Sequence, residues 1–344
     1  MTTTPIVDVL ILGAGPAGLA CAGALARQLH TAIVFGNNVY RNARARHMHN
    51  VVGWDYADPA ALRAKACADI LARYASVQFR DVEVRSVRRL EEEDGDGVGG
   101  DGDGCEKGRT RFEALDVEGR RYLGRKVVLA MGVRDVMPES PRGYEELWGY
   151  GIFHCLFCHG FEERGAASAS VLATGPMLGG SGGSDAPLFA PVISRMANRL
   201  AGSVNVYTEG NEELGARIRA QLKSKNNYHI ENRRIARLSK DPAIKGEAGV
   251  LVELEDGTVN KEGFLAHTPA VKLNGPFTKD LGVAMAPQGH IDAQPPFYTT
   301  NVPGVYAAGD CATMLKAVPM ATMMGSCVAA GLAHVLQAED DVED

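Results

Sequence analysis

At 344 residues, with 45% hydrophobic and 23% charged side chains, the chain has the length and composition of a soluble globular protein of two ordinary domains. A formal charge of −6, from 36 basic against 42 acidic residues, supplies no electrostatic footprint for nucleic acid or an anionic membrane. Seven cysteines at irregular spacing form no disulfide framework, so a Cys-x-x-Cys pair among them points to catalysis in a reducing compartment.

The apolar run over residues 6–26 resembles a signal sequence or membrane span only in hydropathy. It lacks a basic start, carries Asp8, and contains Gly13-Ala14-Gly15-Pro16-Ala17-Gly18. It reads as a strand over 6–12, a phosphate loop, and a helix over 17–29, with a second strand over 31–35. In such a unit Gly13 makes the tight turn, Gly15 lets the backbone reach a pyrophosphate, and Gly18 lets the helix pack on the strand. The helix N-terminus then offers its free N–H groups to the phosphates. An acidic residue usually ends the second strand and holds the ribose. Here stand Gly36-Asn37-Asn38, which leaves Asn37 and the basic stretch from Arg41 as candidates. With no glycosylation sequon and no C-terminal retention tripeptide, the expected compartment is the cytoplasm.

Residues 91–108 are acidic, glycine-rich and nearly devoid of apolar side chains, and are expected to form a mobile hairpin tip or loop. A calcium loop is the alternative, but no glutamate stands at its closing position. Strands are predicted over 112–117 and 126–130, the latter closing at Met131-Gly132.

Next comes His154-Cys155-Leu156-Phe157-Cys158-His159. Two thiols at this spacing, placed at a helix start, form a small disulfide, and the helix N-terminus lowers the pKa of the first. His154 and His159 flank the pair, and either imidazole can relay protons near neutral pH. Zinc is the alternative, but four ligands within six residues are cramped and no second Cys-x-x-Cys exists. Cys21, Cys67 and Cys327 read as small buried thiols, Cys105 as incidental in the acidic loop, and Cys311 as lining a cofactor site.

A strand over 170–174, a glycine-rich loop over 175–183, a helix over 187–200 and a strand over 204–207 repeat the nucleotide-domain plan. The loop does not space its glycines as Gly-x-Gly-x-x-Gly, and Thr208-Glu209-Gly210-Asn211 provides no arginine pair for a 2′-phosphate. The expected reading is a scaffold that no longer binds NADPH. In the alternative the glycines still cradle a phosphate and Glu209 grips the ribose of NADH. Near the end, Val302-Pro303-Gly304-Val305-Tyr306-Ala307-Ala308-Gly309-Asp310 is a turn, a short strand and an aspartate facing the cofactor crevice. A helix over 319–337 follows, rich in small residues, its N-terminus directed toward an electron-accepting ring. One complete dinucleotide loop beside a cysteine pair points to thiol oxidation, with electrons leaving through a flavin.

These motifs resemble the low-molecular-weight thioredoxin reductase group of flavoproteins, on the Gly13 to Gly18 loop, Cys155-x-x-Cys158 and the stretch from Val302 to Cys311. Within that group the chain is most similar to the gliotoxin-type dithiol oxidases of epidithiodioxopiperazine pathways. The closer marks are Arg27-Gln28-Leu29-His30-Thr31-Ala32, Val39-Tyr40-Arg41-Asn42-Ala43, His47-Met48-His49-Asn50, Cys155-Leu156-Phe157-Cys158 with Glu162-Glu163-Arg164-Gly165, and Asn274-Gly275-Pro276-Phe277. The resemblance fades in the acidic loop, at residues 178–186 and in the C-terminal tail.

It implies an α/β fold of two Rossmann-like three-layer domains, the second inserted in the first. The FAD domain would span 1–135 and 265–344, and the inserted domain, carrying the cysteines, 136–264. FAD would be held by Gly13, Gly15, Pro16, Ala17, Gly18, Asn37, Tyr40, Arg41, His49, Asn50, Val84, Ala130, Gly132, Gly309, Asp310, Lys316, Ala317 and Val318. Cys155 would be the interchange thiol facing the substrate, and Cys158 would face the flavin. His159 stands where the usual reductase has an acid/base aspartate. The protein would be a homodimer that oxidises a small dithiol metabolite, with dioxygen leaving as hydrogen peroxide. An NAD(P)H-dependent disulfide reductase is the alternative, and a flavin-bound protein that merely sequesters a thiol metabolite is a third reading.

Overall fold

The structure, a computed structural model, describes residues 5–90, 111–178, 188–222 and 227–341. The acidic stretch 91–108, Cys105 and residues 179–183 of the second glycine-rich loop lie outside them. The chain forms two units, one of Met1–Ala43, Ala57–Arg134 and Leu273–Asp344, the other of Arg44–Tyr56 and Asp135–Lys272.

In the first unit the run Ile6–Leu12 forms the central strand β1, and Val9 to Ile11 are fully buried, as a strand covered on both faces requires. Helix α1 follows at Pro16–Ala26 and strand β2 at Ala32–Gly36. The helix stops short of the predicted residue 29 because the N–H groups of Arg27, Gln28 and Leu29 each bond the carbonyl three residues back, and Leu29 turns to φ +64°. Helix α2 (Pro59–Arg73) and strand β3 (Val77–Asp81) come next, then β4 (Val84–Leu90), β5 (Arg111–Asp116) and β6 (Arg121–Leu129). Strands β3, β2, β1, β6 and Val305–Ala307 lie parallel in that order, while β5 pairs antiparallel with the first half of β6 and β4 pairs antiparallel with β5.

Strand β6 begins five residues before the predicted 126. Its charged Arg125 and Lys126 are buried, but Asp8, Glu339 and Asp340 pair with Arg125, and Glu339 pairs with Lys126. The last helix, Val318–Asp340, is long and apolar enough to cross a membrane. It instead packs on α1, where a Cβ at Gly325 would lie 2.1 Å from the carbonyl oxygen of Ala17, and it sends Met324, Val328, Leu332 and Leu336 into the core.

The second unit has a parallel sheet in the order Tyr228–Glu231, Ala201–Tyr207, Ala166–Leu172, Leu265–Ala266, Ile152–Phe153. A separate antiparallel sheet comprises Ile235–Lys240, Val250–Leu254 and Val259–Glu262. Helix Ala190–Ala197 is shorter than the predicted 187–200. Three stretches differ from the expected domains, and the shortest is Asp135, which already belongs to the second unit. Residues 265–272 stay in the second unit because Leu265–Ala266 is a strand of its sheet. Residues 44–56 also belong there, tied by Arg46 to Glu247 at 2.9 Å and by Arg44 to the carbonyl of Glu145 at 2.9 Å.

Candidate active site

Strand Ile152–Phe153 releases the chain at its carboxyl end, the end at which open parallel sheets bind ligands. There Cys155 and Cys158 form a disulfide. The expected helix start is absent. The N–H groups of Cys158 and His159 bond the carbonyl of Cys155, but the turn ends at Gly160, φ +141°, and a three-residue 3-10 turn, Phe161–Glu163, follows. No helix dipole therefore acts on Cys155. A local donor replaces it, since the N–H of Cys158 points to the Cys155 sulfur at 3.1 Å. When the pair is reduced, that bond favours thiolate on Cys155.

Beside Cys158 opens a cavity of about 200 Å³ lined by His49, Asp55, Tyr56, Phe157, Cys158, His159, Phe161 and Glu162. His159 lies on Phe153, and its pKa is lowered chiefly by burial, with Glu247 and Glu162 opposing and His49 and His47 adding to the shift. His49 is 3.5 Å from both Asp55 and Glu162 and edge-on to Tyr56. Burial alone would raise the Glu162 carboxyl, but the N–H groups of Glu162 and Gly160, with His49 and the Tyr56 hydroxyl, outweigh it and hold the carboxyl below its usual range.

Of the two flanking histidines, His159 lines this cavity, whereas His154 packs against Trp148 and its carbonyl accepts from Thr268. Asp55, Tyr56 and Phe161 carry no motif and stand far from the disulfide or outside its signature spacing. Nothing in the sequence marks them. His49 and Asn50, which the resemblance assigns to the flavin, fall in the second unit, and the Asn50 N–H bonds Asp55.

Glu209, the candidate ribose ligand of this unit, is engaged by the fold. Glu209 accepts from the N–H of Ile235 at 3.1 Å, and burial raises its pKa. At the strand ends His267 bridges Tyr144 at 2.7 Å and Thr174 at 3.1 Å, and burial lowers its pKa to about 4.

In the first unit the glycine loop has the geometry a pyrophosphate needs. Gly13 has φ +124°, and a Cβ there would lie 2.2 Å from the carbonyl oxygen of Ala130. A Cβ at Gly18 would lie 1.9 Å from the Gly13 oxygen, whereas one at Gly15 meets nothing within 4 Å. No side chain caps α1, whose first turn begins with Pro16, Ala17 and Gly18. These residues fit a dinucleotide phosphate.

Along the same strand ends stand Asn37, whose side-chain amide oxygen accepts from the Val39 N–H, and Tyr40, whose ring carries the Arg63 guanidinium at 3.8 Å. Ala130 and Gly132 follow β6, and Gly309 and Asp310 follow Val305–Ala307. Arg41 reaches Asp310 at 3.4 Å. Ala317 precedes and Val318 begins the last helix, Lys316 donates to the Thr313 carbonyl, and Val84 is buried at the start of β4. Arg63, which no motif announced, also donates to the Asn42 side chain at 3.1 Å. Cys311 does not line a site. It is fully buried, its thiol donates to the carbonyls of Leu129 and Ala308, and burial pushes its pKa up to about 12. Cys21 is likewise buried, while Cys67 and Cys327 are only partly so.

A dinucleotide-type unit and a second α/β unit carrying a Cys-x-x-Cys disulfide define a flavoprotein disulfide oxidoreductase. The chain belongs to the pyridine nucleotide-disulphide oxidoreductase family, whose match spans residues 7–325. It is similar to the thioredoxin reductase aclD of Aspergillus oryzae, 41% identical over 334 residues, covering 96% of this chain and 97% of that one. It is also similar to the thioredoxin reductase sirT of Leptosphaeria maculans, 37% identical over 335 residues, covering 96% and 95%. The crystal structure of HlmI matches with a TM-score of 0.81 and 25% identity over 100% of this chain and 96% of that one. A putative thioredoxin reductase TrxB from Bacillus anthracis, at 18% identity and a TM-score of 0.78, shares the fold over 97% and 99%.

Proposed function

We propose that this protein is an FAD-dependent thiol oxidase that closes an intramolecular disulfide in a small dithiol of the epidithiodioxopiperazine type. The observation that carries the reading is the Cys155–Cys158 disulfide at the carboxyl end of strand Ile152–Phe153, with the Cys158 N–H on the Cys155 sulfur and His159 next to Cys158. The lost glycine spacing after residue 174 and the engagement of Glu209 by Ile235 favour it over a pyridine-nucleotide reductase.

A substrate thiol gives up its proton, and its sulfur attacks Cys155, breaking the Cys155–Cys158 bond and forming a mixed disulfide. Cys158 leaves as thiolate beside His159, which returns a proton to it. The second substrate thiol, deprotonated in turn, attacks its partner sulfur, and Cys155 leaves under the Cys158 N–H. The substrate loses two protons and two electrons, and the cysteine pair gains both. Gly13, Gly15, Pro16, Ala17, Gly18, Asn37, Tyr40, Arg41, Ala130, Gly132, Asp310 and the start of the last helix would hold FAD, with Val84, Gly309 and Lys316 beside them. Bound FAD would supply a two-electron acceptor for the reduced pair, with dioxygen as the final acceptor and hydrogen peroxide as the product. The enzyme acts as a cytoplasmic homodimer, finishing a toxin and protecting its producer.

The test is oxygen uptake and peroxide formation by purified protein given a small dithiol without NADPH. Steady uptake, abolished in Cys155→Ser and Cys158→Ser, supports the reading. Binding of the dithiol without uptake points to sequestration, and uptake only with NADPH points to a reductase.

A further inference from the structure

The carboxylate that usually ends the second strand of a dinucleotide unit and receives the ribose hydroxyls is missing here, where β2 ends in Gly36 and Asn37-Asn38 follow. Gly36 marks the place such a group would occupy. A Cβ there would stand 2.9 Å from the Cβ of Ala14, in the phosphate loop, and 3.9 Å from the hydroxyl of Tyr40. The Tyr40 hydroxyl therefore stands over the strand end, beside the path a dinucleotide takes away from its phosphates. Two other polar groups of this stretch are committed elsewhere. The Asn37 amide oxygen accepts from the Val39 N–H, and Arg41 reaches Asp310 at 3.4 Å.

Helix α2 brings a further group to the same place. Arg63 lays its guanidinium on the Tyr40 ring, 3.8 Å from the centroid, and donates to the Asn42 side-chain oxygen at 3.1 Å. A guanidinium stacked by its face keeps its in-plane donors available at its edge. Among the described residues no carboxylate forms an ion pair with it, and the nearby Asp58 caps α2 through the Ala60 N–H. Burial lowers the Arg63 pKa, and Tyr40 and Asp58 only partly oppose the shift. The fold thus holds a half-buried cation in a fixed place and engages one of its five N–H donors.

We infer that Tyr40 and Arg63 together read the adenosine ribose of FAD, a phenol and a stacked guanidinium standing in for the strand-end carboxylate. The guanidinium donates to a ribose hydroxyl oxygen, and the phenol either donates or accepts. Asp81, which ends β3 in register with Gly36, is the carboxylate that would take the role instead. The inference rests on the FAD reading above and adds which groups hold the adenosine end.

The test is FAD binding to the full-length protein stripped of flavin, followed by quenching of flavin fluorescence, with ADP and 2′-deoxy-ADP as competitors. In the wild type ADP should compete about tenfold better than 2′-deoxy-ADP, the effect of one hydrogen bond to a charged group. Arg63→Met keeps an apolar stem on Tyr40 and removes the donors. It should bind FAD about tenfold more weakly and no longer distinguish the two nucleotides. Equal competition in the wild type, or none, overturns the inference, as does an Arg63→Met protein that keeps the preference. Loss of the preference in Asp81→Ala alone returns the role to a carboxylate and overturns it as well. A wild type that binds no FAD overturns the cofactor reading and the inference together. Should Arg63→Met not fold, Tyr40→Phe decides, because it keeps the stacked ring and loses the hydroxyl. A narrowed preference for ADP then supports the pair, and an unchanged one overturns it.

Discussion

The imidazole of His159 lies almost flat on the ring of Phe153, with centroids 5.2 Å apart and planes 9° apart. This stacking is part of the burial that lowers the pKa of His159 and keeps the ring neutral at physiological pH. A base of lowered pKa stays in its accepting form to a lower pH, so the acidic limb of the exchange rate should fall below the ordinary value of about 6.5. Phe153→Ala lets water reach the ring and should move that limb upward. His159→Asn should slow exchange by about a hundredfold and leave flavin content unchanged. Both are read from the pH dependence of disulfide reduction by dithiothreitol.

The two cysteines should differ in reactivity. The Cys158 N–H points at the Cys155 sulfur, and that donor remains when Cys158 becomes serine. In Cys158→Ser the single thiol of Cys155 should alkylate faster than that of Cys158 in Cys155→Ser, by about tenfold near neutral pH. Equal rates would mean that the backbone donor does not act on the thiolate.

Glycines of the phosphate loop should separate fold from cofactor. A methyl group at Gly18 would overlap the Gly13 carbonyl, so Gly18→Ala should lose stability, by about 1–3 kcal/mol or more, in thermal unfolding. A methyl group at Gly15 meets nothing within 4 Å, so Gly15→Ala should unfold like the wild type once flavin is removed. It should nonetheless bind flavin more weakly in a fluorescence-quenching titration, because the methyl group enters the space a phosphate would use.

Stability should carry an imprint of His267. Its pKa is lowered to about 4 by burial, against 6.5 for an unhindered imidazole. Between those values the unfolded chain binds the extra proton, so stability falls as pH drops through 6.5 toward 4. The full penalty is about 3 kcal/mol, reached near the lower value. His267→Gln, which can still bond Tyr144 and Thr174, should flatten that part of the curve of urea midpoint against pH. A variant with wild-type slope would refute the assignment.

The parts of this molecule governed by local pattern were legible in the sequence. The unbroken apolar run Ile6–Leu12 and the glycines after it specify strand, turn and helix within a few residues, because burial on both faces and close backbone approach admit few alternatives. The cysteine pair was equally visible. What escaped depends on contacts distant along the chain. The strand predicted from 126 begins at Arg121, and its buried Arg125 and Lys126 are neutralised by residues more than a hundred positions away. Residues 44–56 read as a continuation of the first domain, and pairs such as Arg46 with Glu247 and His49 with Glu162 assign them to the second unit. The helix expected at Cys155 failed at Gly160, whose φ of +141° no helix accepts.

The measurement closest to the central claim is the flavin absorbance of the purified protein under nitrogen, with NADPH, NADH and then a small dithiol added in turn. Bleaching by the dithiol alone, with recovery and peroxide formation on admitting air, is the predicted result. Rapid bleaching by NADPH or NADH would contradict it and identify a pyridine-nucleotide-dependent reductase.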